Sequence, residues 1–475
     1  MVFSSLVFLC VFLPVVFLLY TVVPSLRVKN VLLIAASLIF YAYGEPAYVL
    51  LMIGSSAANY VLALLIDKSG RPGVRKLILA AAVAANLGVL GFFKYTGFVL
   101  ESFNALTGLG VPVPQITLPI GISFFTFQAL SYVIDVYRRD VPADKNFLHI
   151  LLYISFFPQL IAGPIVKYHD INAAIADRRQ TTEAVAAGLR RFICGLGKKV
   201  IIANVMGQTA DAVFAAAPES LHFAAAWLGA AAYMLQIYYD FSGYSDMAIG
   251  LGKMFGFEIK ENFNYPYTAV SIQDFWRRWH ISMSTWFKNY LYIPLGGNRK
   301  GKFRTALNRI IVFFCTGLWH GANWTFVVWG LYHGFFLLLE SYIPALKKMP
   351  RLLGRLYSLL VVCIGFVVFR ADTLSQGVTF IARMFSFGPL DFENKALLLG
   401  QLTPWFLVIL VAAVVGAGFL RRPVEKLRQS LGGEVAALPR ARTEIVLSAG
   451  ALILLIWCVL RLSGQGYNPF IYFRF

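Results

Sequence analysis

Charge is scarce in this chain. Only 14% of its 475 residues are Asp, Glu, Lys or Arg, against about 25% in ordinary soluble domains, while 59% are hydrophobic and 15% aromatic. So little polar surface cannot solvate a globule of 52.9 kDa with a mean hydropathy of +0.68, which excludes a soluble enzyme. Acidic residues are scarcer still: 23 Asp and Glu stand against 42 Lys and Arg, a formal charge of +19. On a soluble protein that imbalance points to nucleic acid. Here the bases sit in short clusters between apolar runs, the positive-inside pattern of a membrane protein, so no nucleic-acid partner is expected. The five cysteines (Cys10, Cys194, Cys315, Cys363, Cys458) lie mostly inside apolar segments without CxxC spacing, and read as packing residues rather than a disulfide frame or metal site. The opening MVFSSLVFLCVFLPVVFLLY lacks a basic region and a small-residue cleavage site, so it reads as a retained first helix rather than a signal peptide. Internal repeats, low-complexity tracts and a soluble domain are also lacking.

What is there is a series of apolar runs at about 2–24, 31–44, 47–66, 76–94, 118–137, 148–166, 185–206, 223–239, 310–342 (room for two passes), 352–369, 403–420 and 444–462. With roughly 20 residues per span, they predict an all-α polytopic membrane protein of about 10–12 spans plus re-entrant pieces. Three basic clusters, Arg27/Lys29, Lys68–Lys76 and Arg138/Arg139, alternate with nearly uncharged loops at 45–46 and 102–117. The positive-inside rule therefore places the N-terminus outside and those clusters in the cytoplasm. The same rule puts Arg299–Arg309, Lys347–Arg355 and Arg421–Arg442 inside and the C-terminus outside. One integral-membrane domain is expected over 1–475: N-terminal helices (1–117), a core (118–342) and C-terminal helices (343–475).

The core differs from its flanks because polar and aromatic residues enter the apolar stretches themselves: YYDFSGYSD, QDFWRRWHISMSTWFKNYLYIPLGG and CTGLWHGANWTF. Polar groups at bilayer depth are expensive and mark functional pathways. In QDFWRRWH, Asp274 and Arg278 form an (i, i+4) pair, with Arg277 beside them. On a continuous helix His280 shares a face with Trp276 and Ser284. An interfacial helix with its arginines on lipid phosphates is the alternative reading of this segment.

His320, in TGLWHGANW, lies eleven residues after Arg309. On a helix that is roughly 16 Å of depth, about half the hydrocarbon core. Burial there favours a neutral imidazole, the form a general base requires, and Gly317 and Gly321 allow close approach of a neighbouring helix or a substrate. A histidine hydrogen-bonded between helices is the structural alternative. His333, thirteen positions later, falls about 20 Å away on a nearly opposite face if the helix is continuous. His149, His169 and His222 sit near segment ends and read as surface residues. Asp240 and Asp246 flank Ser242, Gly243 and Ser245, where a helix break is expected with the acids and serines as caps; a proton relay or cation site is the other reading. GLGKMFG (250–256) lacks the preceding strand of a dinucleotide loop, and GLGKK (195–199) reads as a membrane-exit loop.

FWRRWHISMSTWFKNYLYIPLGG followed by TGLWHGANWTFVVWGLYHG resembles the membrane-bound O-acyltransferase family. LPIGISFFTFQALSYVIDVYR, FFPQLIAGPIVKYHDI, the opening MVFSS and the ending NPFIYFRF are similar to its bacterial alginate O-acetylation branch. The resemblance implies a ring of helices around a thin centre, with a tunnel entered from both sides. It makes His320 the catalytic histidine and His280 a second active-site histidine, with Asn323, Trp319, Tyr292, Asp274 and Arg277 near the substrate. It also implies acyl transfer from cytoplasmic acetyl-CoA, its phosphates on Arg299, Lys300, Lys302 and Arg304, to hydroxyls of an extracytoplasmic polysaccharide through periplasmic partner proteins. The site is then in a bacterial inner membrane, with no bound cofactor and no metal. A D-alanyl or longer acyl transferase of the same family is the nearest alternative, and a transporter or flippase the more distant one.

Overall fold

The computed structural model describes residues 1–419, 440–464 and 466–471. Those residues are helical with no strand among them, as the apolar runs require. Among the described residues, four helices are long and apolar enough to cross a membrane: Tyr48–Lys68, Pro72–Thr107, Arg351–Arg370 and Glu444–Gly464. A fifth span arises if Phe392–Gln401 and Pro404–Phe419, bent by 67°, act together. Elsewhere the apolar runs resolve into shorter or broken helices. The run at 148–166 becomes Phe147–Ser155 and the single turn Phe157–Leu160, because Pro158 cannot continue the preceding helix. The basic cluster Arg421–Arg442 and the last four residues of NPFIYFRF lie outside the described residues, apart from the backbone of the helix that begins at Arg440.

The outer helices carry the lipid-facing character. In Pro72–Thr107 only 17% of the apolar window is buried within the protein, and Leu77, Leu87, Phe92 and Val99 are exposed. Inside them the helix Phe223–Met254 is buried along nearly its whole length. It runs straight through Ser242, Gly243 and Ser245, so the break expected there is absent. The glycines serve close packing instead. A Cβ on Gly195 would sit 2.5 Å from the Gly243 carbonyl, and one on Gly243 would sit 2.8 Å from that of Gly195.

GLGKK is therefore no exit loop but the continuation of Thr182–Gly197 into a π-helical turn, Lys198–Ala203. The two acids cap nothing either. Asp246 pairs with Arg191 (2.8 Å) and Lys198 (2.6 Å), and Asp240 with Lys199 (2.8 Å), the latter two side chains being 2% and 3% exposed. These pairs tie the two antiparallel helices together where glycine has brought them close.

Candidate functional site

The helix Gly301–His320 ends on His320. The chain turns through Gly321 and Ala322, and Asn323 caps the next helix, Trp324–Tyr342, by accepting from the Thr325 amide (3.0 Å). The two helices are antiparallel and in near backbone contact. A Cβ on Gly317 would meet the Phe326 carbonyl at 2.3 Å, and one on Gly330 the Phe313 carbonyl at 2.2 Å. The close approach expected of Gly317 is thus realised with the chain's own return helix. Gly330→Ala is expected to force the hairpin apart, lowering stability by about 1–3 kcal/mol. Thermal unfolding in detergent reads this, and an unchanged midpoint would contradict the packing described here.

His320 is 6% exposed and its Nε2 has no hydrogen-bond partner among the described residues. Its ring is boxed by Trp319 (5.0 Å), Trp329 (5.0 Å) and Phe369 (5.2 Å), and lies 6.5 Å from the ring of His280. His280 does not continue a helix with Trp276. The helix Ile272–Arg278 stops before it, and His280 takes a left-handed conformation (φ 44°) ahead of Ile281–Phe287. The expected shared face with Trp276 and Ser284 is therefore lost, and the bend is what swings the ring inward, fully buried, toward His320.

Asn262 fixes the proton on His280. The Asn262 Oδ1 accepts from the Ser282 amide (3.2 Å) and hydroxyl (2.9 Å), while its Nδ2 donates to Ser245 (3.2 Å). Oδ1 is thus the acceptor facing His280 Nδ1 at 3.2 Å. Nδ1 carries the proton, and the neutral ring presents a bare Nε2 lone pair, itself unpartnered among the described residues.

Cavities are strung along Gly301–His320. One of about 520 Å³ borders its first turns, at Gly301, Lys302, Thr305 and Arg309. One of about 250 Å³ borders its middle, with Arg309, Val312, Phe313 and Thr316 facing Arg277, Lys288 and Tyr292. One of about 190 Å³ borders its end, with Trp319 and His320 facing Lys94 and residues 118–124. A gap of only about 10 Å³ touches His320, Trp329, Phe369 and Ile471. Among the described residues no group of three His, Cys, Asp or Glu side chains is placed to hold a metal ion.

The structure gathers some of the expected residues here and leaves others aside. Trp319, Tyr292 and Arg277 line cavities. Asp274 lines none of those described; it pairs with Arg278 at 2.9 Å, as its spacing predicts. Asn323 caps a helix and donates to the Asp372 carbonyl (3.1 Å). Of the basic quartet only Lys302 lines a described cavity; Arg299 and Lys300 are exposed and Arg304 half-buried. His333 does not lie far from His320: the turn at 321–323 brings both onto Trp329, His333 at 5.1 Å.

The motifs do not mark two features. Lys94, 9% exposed, donates to the Trp319 carbonyl (2.5 Å) and Ser123 hydroxyl (3.3 Å); the signal for it was a lone ammonium within an apolar run. The segment ending at Ile471 is also bound into the core. Asp240 accepts from the Ile471 amide (2.9 Å), Lys199 donates to the Pro469 carbonyl, and Tyr467 donates to Asp211 (2.6 Å).

The model of the MBOAT, membrane-bound O-acyltransferase family, matches residues 140–371. The chain is 42% identical to "Probable alginate O-acetylase AlgI" of Azotobacter vinelandii, and 41% identical to the protein of that name from Pseudomonas aeruginosa, in each case over 100% of both chains. It is 39% identical to the peptidoglycan O-acetyltransferase of Helicobacter pylori, over 81% of this chain and 80% of that one.

Proposed function

Because the chain belongs to the membrane-bound O-acyltransferase family, and is thus a multi-pass membrane O-acyltransferase rather than a transporter, we propose that it moves an acetyl group from cytoplasmic acetyl-CoA toward hydroxyls of an extracytoplasmic, alginate-like polysaccharide. Periplasmic partner proteins carry the group to the polymer, and the enzyme sits in the inner membrane with both termini outside. The observation that carries this reading is the placement of His320. Its unpartnered Nε2 stands at the end of a helix that borders a basic cavity at one level and a separate cavity at its tip.

The chemistry follows from the difficulty of the nucleophile, since little of an alcohol is ionised at neutral pH. His320 Nε2 takes the hydroxyl proton as the oxygen attacks the thioester carbonyl. The new C–O bond forms, the C–S bond breaks, and CoA leaves as a thiolate with a pKa near 8.5, so it needs little acid assistance. His280, with its proton on Nδ1, accepts rather than donates, and orients the acceptor by taking a hydrogen bond from a second hydroxyl on it. The indole N–H of Trp329, buried and unpartnered among the described residues, supplies a donor for the carbonyl oxygen.

On the donor side, Arg277, Lys288 and Arg309 line the cavity that reaches Thr316, one helical turn before His320. That arrangement suits a pantetheine arm entering past its phosphates. Lys302 lines the adjoining wider cavity, and Arg299, Lys300 and Arg304, its neighbours in sequence, are assigned to the same phosphates. Arg277→Met and Arg309→Met are each expected to raise KM for acetyl-CoA about tenfold with kcat little changed. An unchanged KM in both would remove the cavity from the donor path. A donor panel of acetyl-CoA, longer acyl-CoAs and D-alanyl carrier protein tests the acetyl assignment, and transfer from acetyl-CoA alone is the expected result.

A further inference from the structure

Lys94 is a buried lysine with no counter-ion among the described residues. None of the ion pairs among the described residues includes it, and its hydrogen bonds go to neutral oxygens of Trp319 and Ser123. Buried lysines are ordinarily paired. Once protonated, the amine has three donors, one more than these two contacts use, and Lys94 lines a cavity of about 190 Å³.

Gly121, Ile122, Ser123 and Phe124 on its wall are the cap and first turn of the helix Ile122–Arg138, where the Ile122 and Phe124 amides already donate to the Pro119 (3.2 Å) and Gly121 (2.9 Å) carbonyls, so the charge available to a ligand there is that of Lys94. No acidic side chain is among the lining residues, and His320 itself lines the same space. The volume is below the ~300–1,000 Å³ of a drug-sized pocket, so it holds one ring or a terminal group rather than a length of polymer.

We infer that this cavity is an anion subsite for the acceptor: Lys94 holds a carboxylate carried by the molecule whose hydroxyl His320 deprotonates. The inference rests on the proposed reading of His320 and deepens it, because it makes the acceptor an acidic one. Lys94 has a second effect that must be separated from binding. With Tyr95, which donates to the Leu318 carbonyl (2.7 Å), it satisfies carbonyls of the last turn of the His320 helix, which the helix itself leaves unpaired.

The test is binding rather than turnover. Saturation-transfer NMR on the full chain in nanodiscs compares glucuronate with its methyl ester and with glucose. The wild type is expected to bind glucuronate about tenfold more tightly than either neutral sugar, the scale of one charge-assisted hydrogen bond. Lys94→Arg keeps that preference and Lys94→Met abolishes it. Equal binding of the three sugars by the wild type overturns the subsite, and needs no variant to fold. A preference that survives in folded Lys94→Met overturns the part given to Lys94. His320→Ala is expected to keep the glucuronate preference. If that variant also keeps acetyl transfer, the base assignment fails while the anion subsite stands.

Discussion

Membranes carrying His320→Ala are expected to contain normal amounts of the protein and to transfer acetyl groups about a hundred- to ten-thousand-fold more slowly, the range of a removed general base. The protein should survive because His320 Nε2 makes no hydrogen bond among the described residues, so its removal orphans no partner of that nitrogen. The rate should collapse because the other nearby imidazole, 6.5 Å away ring to ring, is held by Asn262 in a different position. Labelled acetyl-CoA outside inverted vesicles, with label counted on protein and glycan, is the measurement. Wild-type label from His320→Ala at equal protein levels would sink the assignment.

Lys199→Met and Asp240→Asn are each expected to destabilise the protein by about 3–5 kcal/mol, because each strands the other half of a buried ion pair. Replacing both together with Met and Leu should recover much of the loss, since the desolvation of two charges disappears along with their attraction. Denaturation in detergent micelles reads both effects, and single variants as stable as wild type would refute the argument. The pair also binds the segment that ends on Ile471, and Ile471 borders the gap beside His320. The double variant, though refolded, should therefore remain slow: it lacks the carboxylate that holds the Ile471 amide.

How far the sequence could be read depended on what each element needs. The helical class and the burial of His320 were legible, because both follow from the apolar runs that surround them. Gly317 was legible as a close approach for the same reason. His280 was not. QDFWRRWHISMSTW holds no Gly or Pro to announce a bend, and the left-handed residue is imposed by tertiary contacts such as that with Asn262. The error over His333 came from missing the turn at 321–323, although Asn323 followed by Thr325 is a plain capping signal. Ser242, Gly243 and Ser245 misled in the opposite sense. Small residues break exposed helices but cement buried ones, and the sequence does not say which helix is buried. Lys94 was legible in principle, as the one charge between Lys76 and Glu101 in an otherwise apolar stretch, but no motif draws the eye to it.

The gap of about 10 Å³ beside His320 has an electrical consequence. A water molecule needs roughly 10–15 Å³ of such space, so this gap, walled by Phe241, Trp279, Phe366 and Phe369 beside His320, holds one water at most and no file of waters along which protons could hop. A charge crossing a membrane gains or loses about 2.3 kcal/mol per 100 mV, and a wet pore at this point would steadily discharge the potential. An acyl group is neutral, so its passage across the same barrier does no electrical work. In the proposed reaction the aromatic collar of Trp319, Trp329 and Phe369 thus serves as an insulator as well as a wall: the cargo handed over there is uncharged, and the membrane stays polarised.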